Sequence, residues 1–183
     1  RSMTDIHPTA VVEPGAKLAD GVVVGPFCYV GSKVVIGKGT RLISHVTLLN
    51  RTTLGEGNTV WPQATLGGQP QDLKYHGEDS ELVIGNFNDI RENVTMHIGT
   101  ENGGGLTRIG SDNLIMVGVH IAHDCIIGDH TILANAVQLA GHIKIEDHAR
   151  IGGMSAIHHF VTVGQFAFIG GMARIVKDVP PFM

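Results

Sequence analysis

The stretch His120-Ile121-Ala122-His123-Asp124-Cys125 places two histidines and a carboxylate within five residues. A neutral imidazole held by a neighbouring carboxylate is a standard general base, and such a group contributes about 10²–10⁴-fold to a rate. The chain holds 11 histidines in 183 residues, and His97, His120, His123, His142, His158 and His159 fall at corner or outward positions of a repeat. No nucleophile accompanies them, because Cys125 falls inward and neither Ser111 nor Ser155 has a base in its column. Direct transfer, with His123 taking a proton from a substrate hydroxyl or amine, suits this group better than a covalent enzyme intermediate. A backbone N–H at a glycine such as Gly141 is suited to hold an oxyanion. Clustered imidazoles also suit zinc, which needs three nitrogens converging on one point. The reading adopted needs no metal and no cofactor.

A period of six positions these residues. From Ile6 through Val12, Leu18 and Val24 to Leu66 every sixth residue is aliphatic; the step holds at Ile84, Ile90 and Met96, and again from Ile109 to Ile175. Four places after each stands a small or β-branched residue, as at Ala10, Cys28 and Thr40, and one place after often stands glycine, as at Gly25, Gly31 and Gly37. A short strand followed by a tight corner explains this pattern, the glycine being expected where the corner needs a permissive backbone. Three such units close a coil of eighteen residues, and coils stack at about 4.8 Å. The prediction is an all-β parallel β-helix whose aliphatic column contributes roughly 1.5–3 kcal/mol gross per buried side chain, before chain ordering. A step of eighteen rises one coil, from His123 to Gly141 to His159, from Asp124 to His142, and from His120 to Gln138. His123, Asp124, Gly141, His142, His158 and His159 are therefore expected on one edge, across roughly 10 Å of axis.

Two segments break the beat and read as external loops, residues 67–83 and 97–108, the second carrying Gly103-Gly104-Gly105 as a turn. The beat dissolves at Asp178-Val179-Pro180-Pro181, which predicts the end of the solenoid and a missing C-terminal segment that would cap it. Arg1 and Ser2, ahead of Met3, read as a tag remnant; residues 1–5 form a lead-in and 6–183 the domain. Cys28 and Cys125 both occupy inward positions and read as reduced core residues. A net charge of -4 gives no basic face for nucleic acid. The absence of a long apolar run or signal peptide predicts a cytoplasmic protein without a membrane span.

The beat together with QDLKYHGE, IRENVTMHIGT, GGGLT, IAHDC, LAGH, IGGMSAIHHF and DVPPF resembles the UDP-N-acetylglucosamine 3-O-acyltransferase family of lipid A biosynthesis, from Ile6 to Phe182. The resemblance implies a left-handed β-helix, a homotrimer with sites between subunits, and transfer of a 3-hydroxyacyl group from acyl carrier protein to the sugar 3-hydroxyl. By motif, His123 resembles the general base, Asp124 its orienting carboxylate and Gly141 the oxyanion donor. Asp72 and His120 match residues contacting the sugar nucleotide. Gln71, Lys74, His142 and His158 match residues along the acyl or phosphopantetheine path, and Gly171 the position that sets acyl-chain length. His159 stands where better-known members carry Gln at a substrate contact. The family continues past the two prolines into a helical domain, which this chain is expected to lack.

Lys144, Arg150, Arg174 and Lys177 are candidates to meet an acidic carrier protein. Three rival readings share the scaffold: a related N-acyltransferase or coenzyme A-dependent acetyltransferase, a γ-carbonic-anhydrase-like metal protein, and a plain structural solenoid.

Overall fold

Residues 3–183 are described by a computed structural model; Arg1 and Ser2, with the tag-remnant reading, lie outside the described residues. Short strands, mostly two residues long, alternate with turns and form three parallel sheets of nine, nine and eight strands. The first sheet runs from Asp5–Ile6 to Phe168–Ile169, the second from Val11–Val12 to Arg174–Ile175, the third from Lys17–Leu18 to Thr162–Val163. Each sheet takes every third strand, so the chain winds as a parallel β-helix, as expected, with the left hand that the resemblance implies. The register is the predicted coil step, with Ile6 beside Val24, His120 beside Gln138 and Gln138 beside Ala156. Among the described residues no helix is long and apolar enough to cross a membrane.

The loops are narrower than predicted. Arg51–Leu54, Glu81–Ile84 and Leu106–Ile109 are four-residue strands in successive pairing, so residues counted as the end of each loop join the third sheet, while Gly67, Gly68 and His97 at their starts belong to strands of the second. Across the first loop Leu54 pairs with Ile84, and across the second Ile84 pairs with Ile109, so each insertion lengthens one coil step without changing which residues face inward. The triglycine is a turn, closing a 3-10 turn over Glu101–Gly103 with Thr100 as its N-cap.

The glycines one place after the aliphatics do not serve the role expected of them. Positive φ falls two places later, at residues such as Phe27, His45, Asp124 and His142, whereas Gly25 and Gly37 lie outside that region. They are needed for close approach: a Cβ on Gly25 would strike the Ile43 carbonyl, and one on Gly37 would sit 2.6 Å from the Gly55 carbonyl of the next coil.

The core holds the aliphatic column and, less expectedly, a buried polar ladder. Asn58, Asn88 and Asn113 are each no more than 2% exposed. The Asn58 Oδ1 accepts the Asn88 backbone N–H at 2.8 Å, Asn88 Oδ1 accepts that of Asn113 at 2.9 Å, and Asn113 Oδ1 that of Thr131 at 2.8 Å. Each amide also donates to a corner carbonyl, that of Gly85, Gly110 or Gly128. Stacked amides thereby satisfy turn groups that would otherwise be buried without partners.

The last strand is Arg174–Ile175, and the residues after it still lie against the preceding coil. Gly164 N–H donates to Val179 O at 2.8 Å, Phe182 N–H to Gln165 O at 2.9 Å, and Phe168 N–H to Met183 O at 2.8 Å. The aliphatic beat is lost there, but the backbone course continues because neither proline stands where the ladder takes a donor.

Candidate active site

The second sheet bears the site. Its outward column runs Thr95, His120, Gln138, Ala156 and Arg174, and the corner after it carries His123, Asp124, Gly141 and His142. The Nδ1 of His123 lies 2.7 Å from Oδ2 of Asp124, whose side chain is 1% exposed. In the neutral imidazole this pairing favours the tautomer with the proton on Nδ1, where a carboxylate can accept it, and with Nε2 as the acceptor nitrogen. Facing that nitrogen from the first loop is Asp72, with Oδ2 at 3.9 Å from Nε2. Of the edge expected from coil arithmetic, His123, Asp124, Gly141 and His142 stand together here, with Asp72 facing them.

Gly141 lies under the imidazole, and a Cβ there would fall 2.7 Å from His123 Nε2. Its N–H donates to no backbone carbonyl of the described residues. His142 stands edge-on to His123, ring centroids 5.0 Å apart, and stacks on Phe160 at 4.4 Å. Burial lowers the His142 pKa, with the Asp124 charge opposing.

A groove of about 380 Å³ opens on this edge, bordered by Gln71, His97, His120, His123, Gln138 and Gly141. His120 Nδ1 meets Thr95 Oγ1 at 2.7 Å, and burial lowers its pKa. A second groove of about 370 Å³ continues past Ala156 and Ile157 to His158, Met172 and Arg174, so the two share a wall. His158 and His159 are exposed and lie together, rings 4.0 Å apart. Gly171 sits at the corner beside Met172, a built Cβ falling 3.3 Å from the Gly153 carbonyl. Lys74 is exposed on the first loop, its N–H held by Asp72 Oδ1 at 3.0 Å.

The four cations proposed for a carrier protein do not form one patch. Lys144 is on the third sheet and Arg150 on the first, because six residues turn the chain to the next face; Arg174 alone of them borders the grooves. Both cysteines are buried and unpaired, and burial pushes the Cys125 thiol up to about 12, which leaves it inert.

His97 is a site residue that sequence reasoning left unassigned. It lines the groove beside His120, ring centroids 4.7 Å apart, and its Nδ1 is buried without a hydrogen-bond partner. Burial, then the neighbouring imidazoles, lower its pKa to about 4. A fixed step of eighteen cannot cross the second insertion, so column arithmetic did not bring it beside His120.

His123, Asp124 and His142 also stand close enough to invite a metal. Two ligands at about 2.0–2.1 Å from one tetrahedral ion would be roughly 3.3 Å apart. The 2.7 Å between His123 and Asp124 is instead a hydrogen bond.

The model of the bacterial transferase hexapeptide family (six repeats) matches residues 106–141. Among solved structures, LpxA from Acinetobacter baumannii is 49% identical with a TM-score of 0.95, covering 96% of this chain and 68% of its own. The Francisella novicida UDP-N-acetylglucosamine acyltransferase is 45% identical at a TM-score of 0.96, covering 97% and 65%. The chain belongs to the UDP-N-acetylglucosamine acyltransferase family. LpxA from Bacteroides fragilis, a UDP-N-acetylglucosamine acyltransferase, is more distant at 42% identity, yet it keeps a TM-score of 0.96 over 97% of the chain. Against these acyltransferases the chain spans about two thirds of their length.

Proposed function

We propose that the protein transfers a 3-hydroxyacyl group from acyl carrier protein to the 3-hydroxyl of UDP-N-acetylglucosamine, with His123 as general base. The observation that carries this reading is the His123–Asp124 pair, whose geometry turns Nε2, the basic nitrogen of the Nδ1–H tautomer, toward the mouth of a groove. In this reading Nε2 takes the 3-hydroxyl proton as that oxygen attacks the thioester carbonyl. The negative charge formed on the carbonyl oxygen is met by the Gly141 N–H. Collapse breaks the carbon–sulfur bond, and the imidazolium, stabilised by Asp124, returns its proton to the departing thiolate.

The groove with Asp72 and His120 suits the sugar nucleotide, and the second groove, beyond Ala156, suits the acyl chain, with Gly171 leaving room at its end. Gln71, Lys74, His142, His158 and His159 complete the substrate contacts. Arg174 is the residue best placed to meet an acidic carrier. A cytoplasmic homotrimer belongs to the same proposal.

The test is acyl transfer from a 3-hydroxyacyl carrier protein to UDP-N-acetylglucosamine, by this chain and by a form extended with a family-type C-terminal domain. Activity that His123→Ala lowers by about 10²-fold or more, with fold and assembly intact, supports the reading. Turnover only with coenzyme A thioesters or another acceptor would overturn the substrate assignment.

A further inference from the structure

Asp124 stands between two imidazoles, with Oδ2 2.7 Å from Nδ1 of His123 and 3.9 Å from Nδ1 of His142. A short carboxylate can turn toward either, and only one choice leaves Nε2 of His123 as a base. The second loop decides. Thr100, itself 2% exposed, donates its backbone N–H to Asp124 Oδ1 at 2.8 Å and its hydroxyl to Oδ2 at 2.6 Å. The Thr100 hydroxyl in turn accepts the Gly103 N–H at 3.2 Å, so its proton has one direction. A Cβ on Gly103 would collide with the Asp124 carboxyl, so the triglycine turn closes directly over it. From below, Thr107 Oγ1 accepts the Asp124 backbone N–H at 2.8 Å. Both carboxylate oxygens of Asp124 are therefore held by the loop, and its main chain by the strand that follows the loop.

We infer that Thr100 is a positioning residue that commits the Asp124 carboxylate to His123 and withholds it from His142. This rests on the reading of His123 as the base. The second loop then has a chemical purpose that neither its glycines nor its length announced: it fixes the tautomer of a histidine more than twenty residues away in sequence. Two donors on a carboxylate also fix its plane, and misplacement of a general base by about 1 Å is worth roughly 10²-fold in rate.

The experiment compares the full chain with Thr100→Val, Thr100→Ser, Asp124→Ala and the Thr100→Val/Asp124→Ala double variant. Steady-state acyl transfer and nitrogen-15 histidine spectra are both recorded. Thr100→Val should lower kcat roughly 10–100-fold with KM within about threefold, and Thr100→Ser should recover most of it. The double variant should be no slower than Asp124→Ala, because Thr100 acts through that carboxylate. In the spectra, the strongly hydrogen-bonded Nδ1–H of His123 should be present in the parent and in Thr100→Ser and lost or shared with His142 in Thr100→Val. Should Thr100→Val not fold, Gly103→Ala, which keeps Thr100 and displaces the carboxylate, should give the same kinetic and spectral changes. A Thr100→Val protein with parental kcat and an unchanged His123 signal would overturn the inference, as would additive losses in the double variant. If neither the parent nor its form extended with a family-type C-terminal domain transfers an acyl group, the functional reading fails, and the spectra alone still decide whether Thr100 holds the pair.

Discussion

Burial of the His97 imidazole has a cost that depends on pH. Its pKa in the folded chain is about 4, against an ordinary 6.5, so below the ordinary value the unfolded chain binds the extra proton first. Its contribution to stability is fully present above about pH 6.5 and is lost as pH falls through 4. Chemical denaturation should show the parent losing stability relative to His97→Leu between those limits; parallel curves would disprove it. At the same scale, Cys125 is closed to solvent and held protonated, so thiol reagents should label it only after unfolding.

The two loops act as one element. Glu78 of the first accepts the backbone N–H of His76 through Oε1 and that of Glu101, in the second, through Oε2, each at 2.9 Å. These two donors hold the Glu78 carboxyl near 2, well below its ordinary 4.5. Such a group stabilises the fold above about pH 4.5, and that contribution disappears as pH falls through 2. Glu78→Gln should therefore be less stable than the parent at pH 6, the gap closing by pH 2. Glu101 adjoins Thr100, so the same variant should also lower kcat a few-fold, measured by acyl transfer. A variant equal to the parent in stability at pH 6 would show that the loops are held by other contacts.

The whole solenoid is a stack in which each coil meets only its neighbours, so damage to an internal ladder spreads along the axis. Asn88→Ala removes the acceptor for the Asn113 N–H and the donor to the Gly110 carbonyl, both inside the stack. Leaving such groups unpaired costs about 1–3 kcal/mol each, so a loss of roughly 2–6 kcal/mol is expected in a urea titration. A loss below about 1 kcal/mol would mean that water replaces the amide.

By itself the sequence determined the period, the coil of eighteen, the aliphatic core and the edge that carries His123, Asp124, Gly141 and His142, because a stacked repeat converts residue number directly into height and face. It also pointed to the family through the beat and the motifs between Gln71 and Phe182. Contacts that cross an insertion were legible only in three dimensions, since a loop of irregular length has no fixed step. Asp72 facing His123, His97 beside His120, and Thr100 on Asp124 all belong to that class. The misreading of Gly25 and Gly37 has the same origin: φ is local, but the carbonyl that excludes a Cβ belongs to the next coil, and only stacking brings it there.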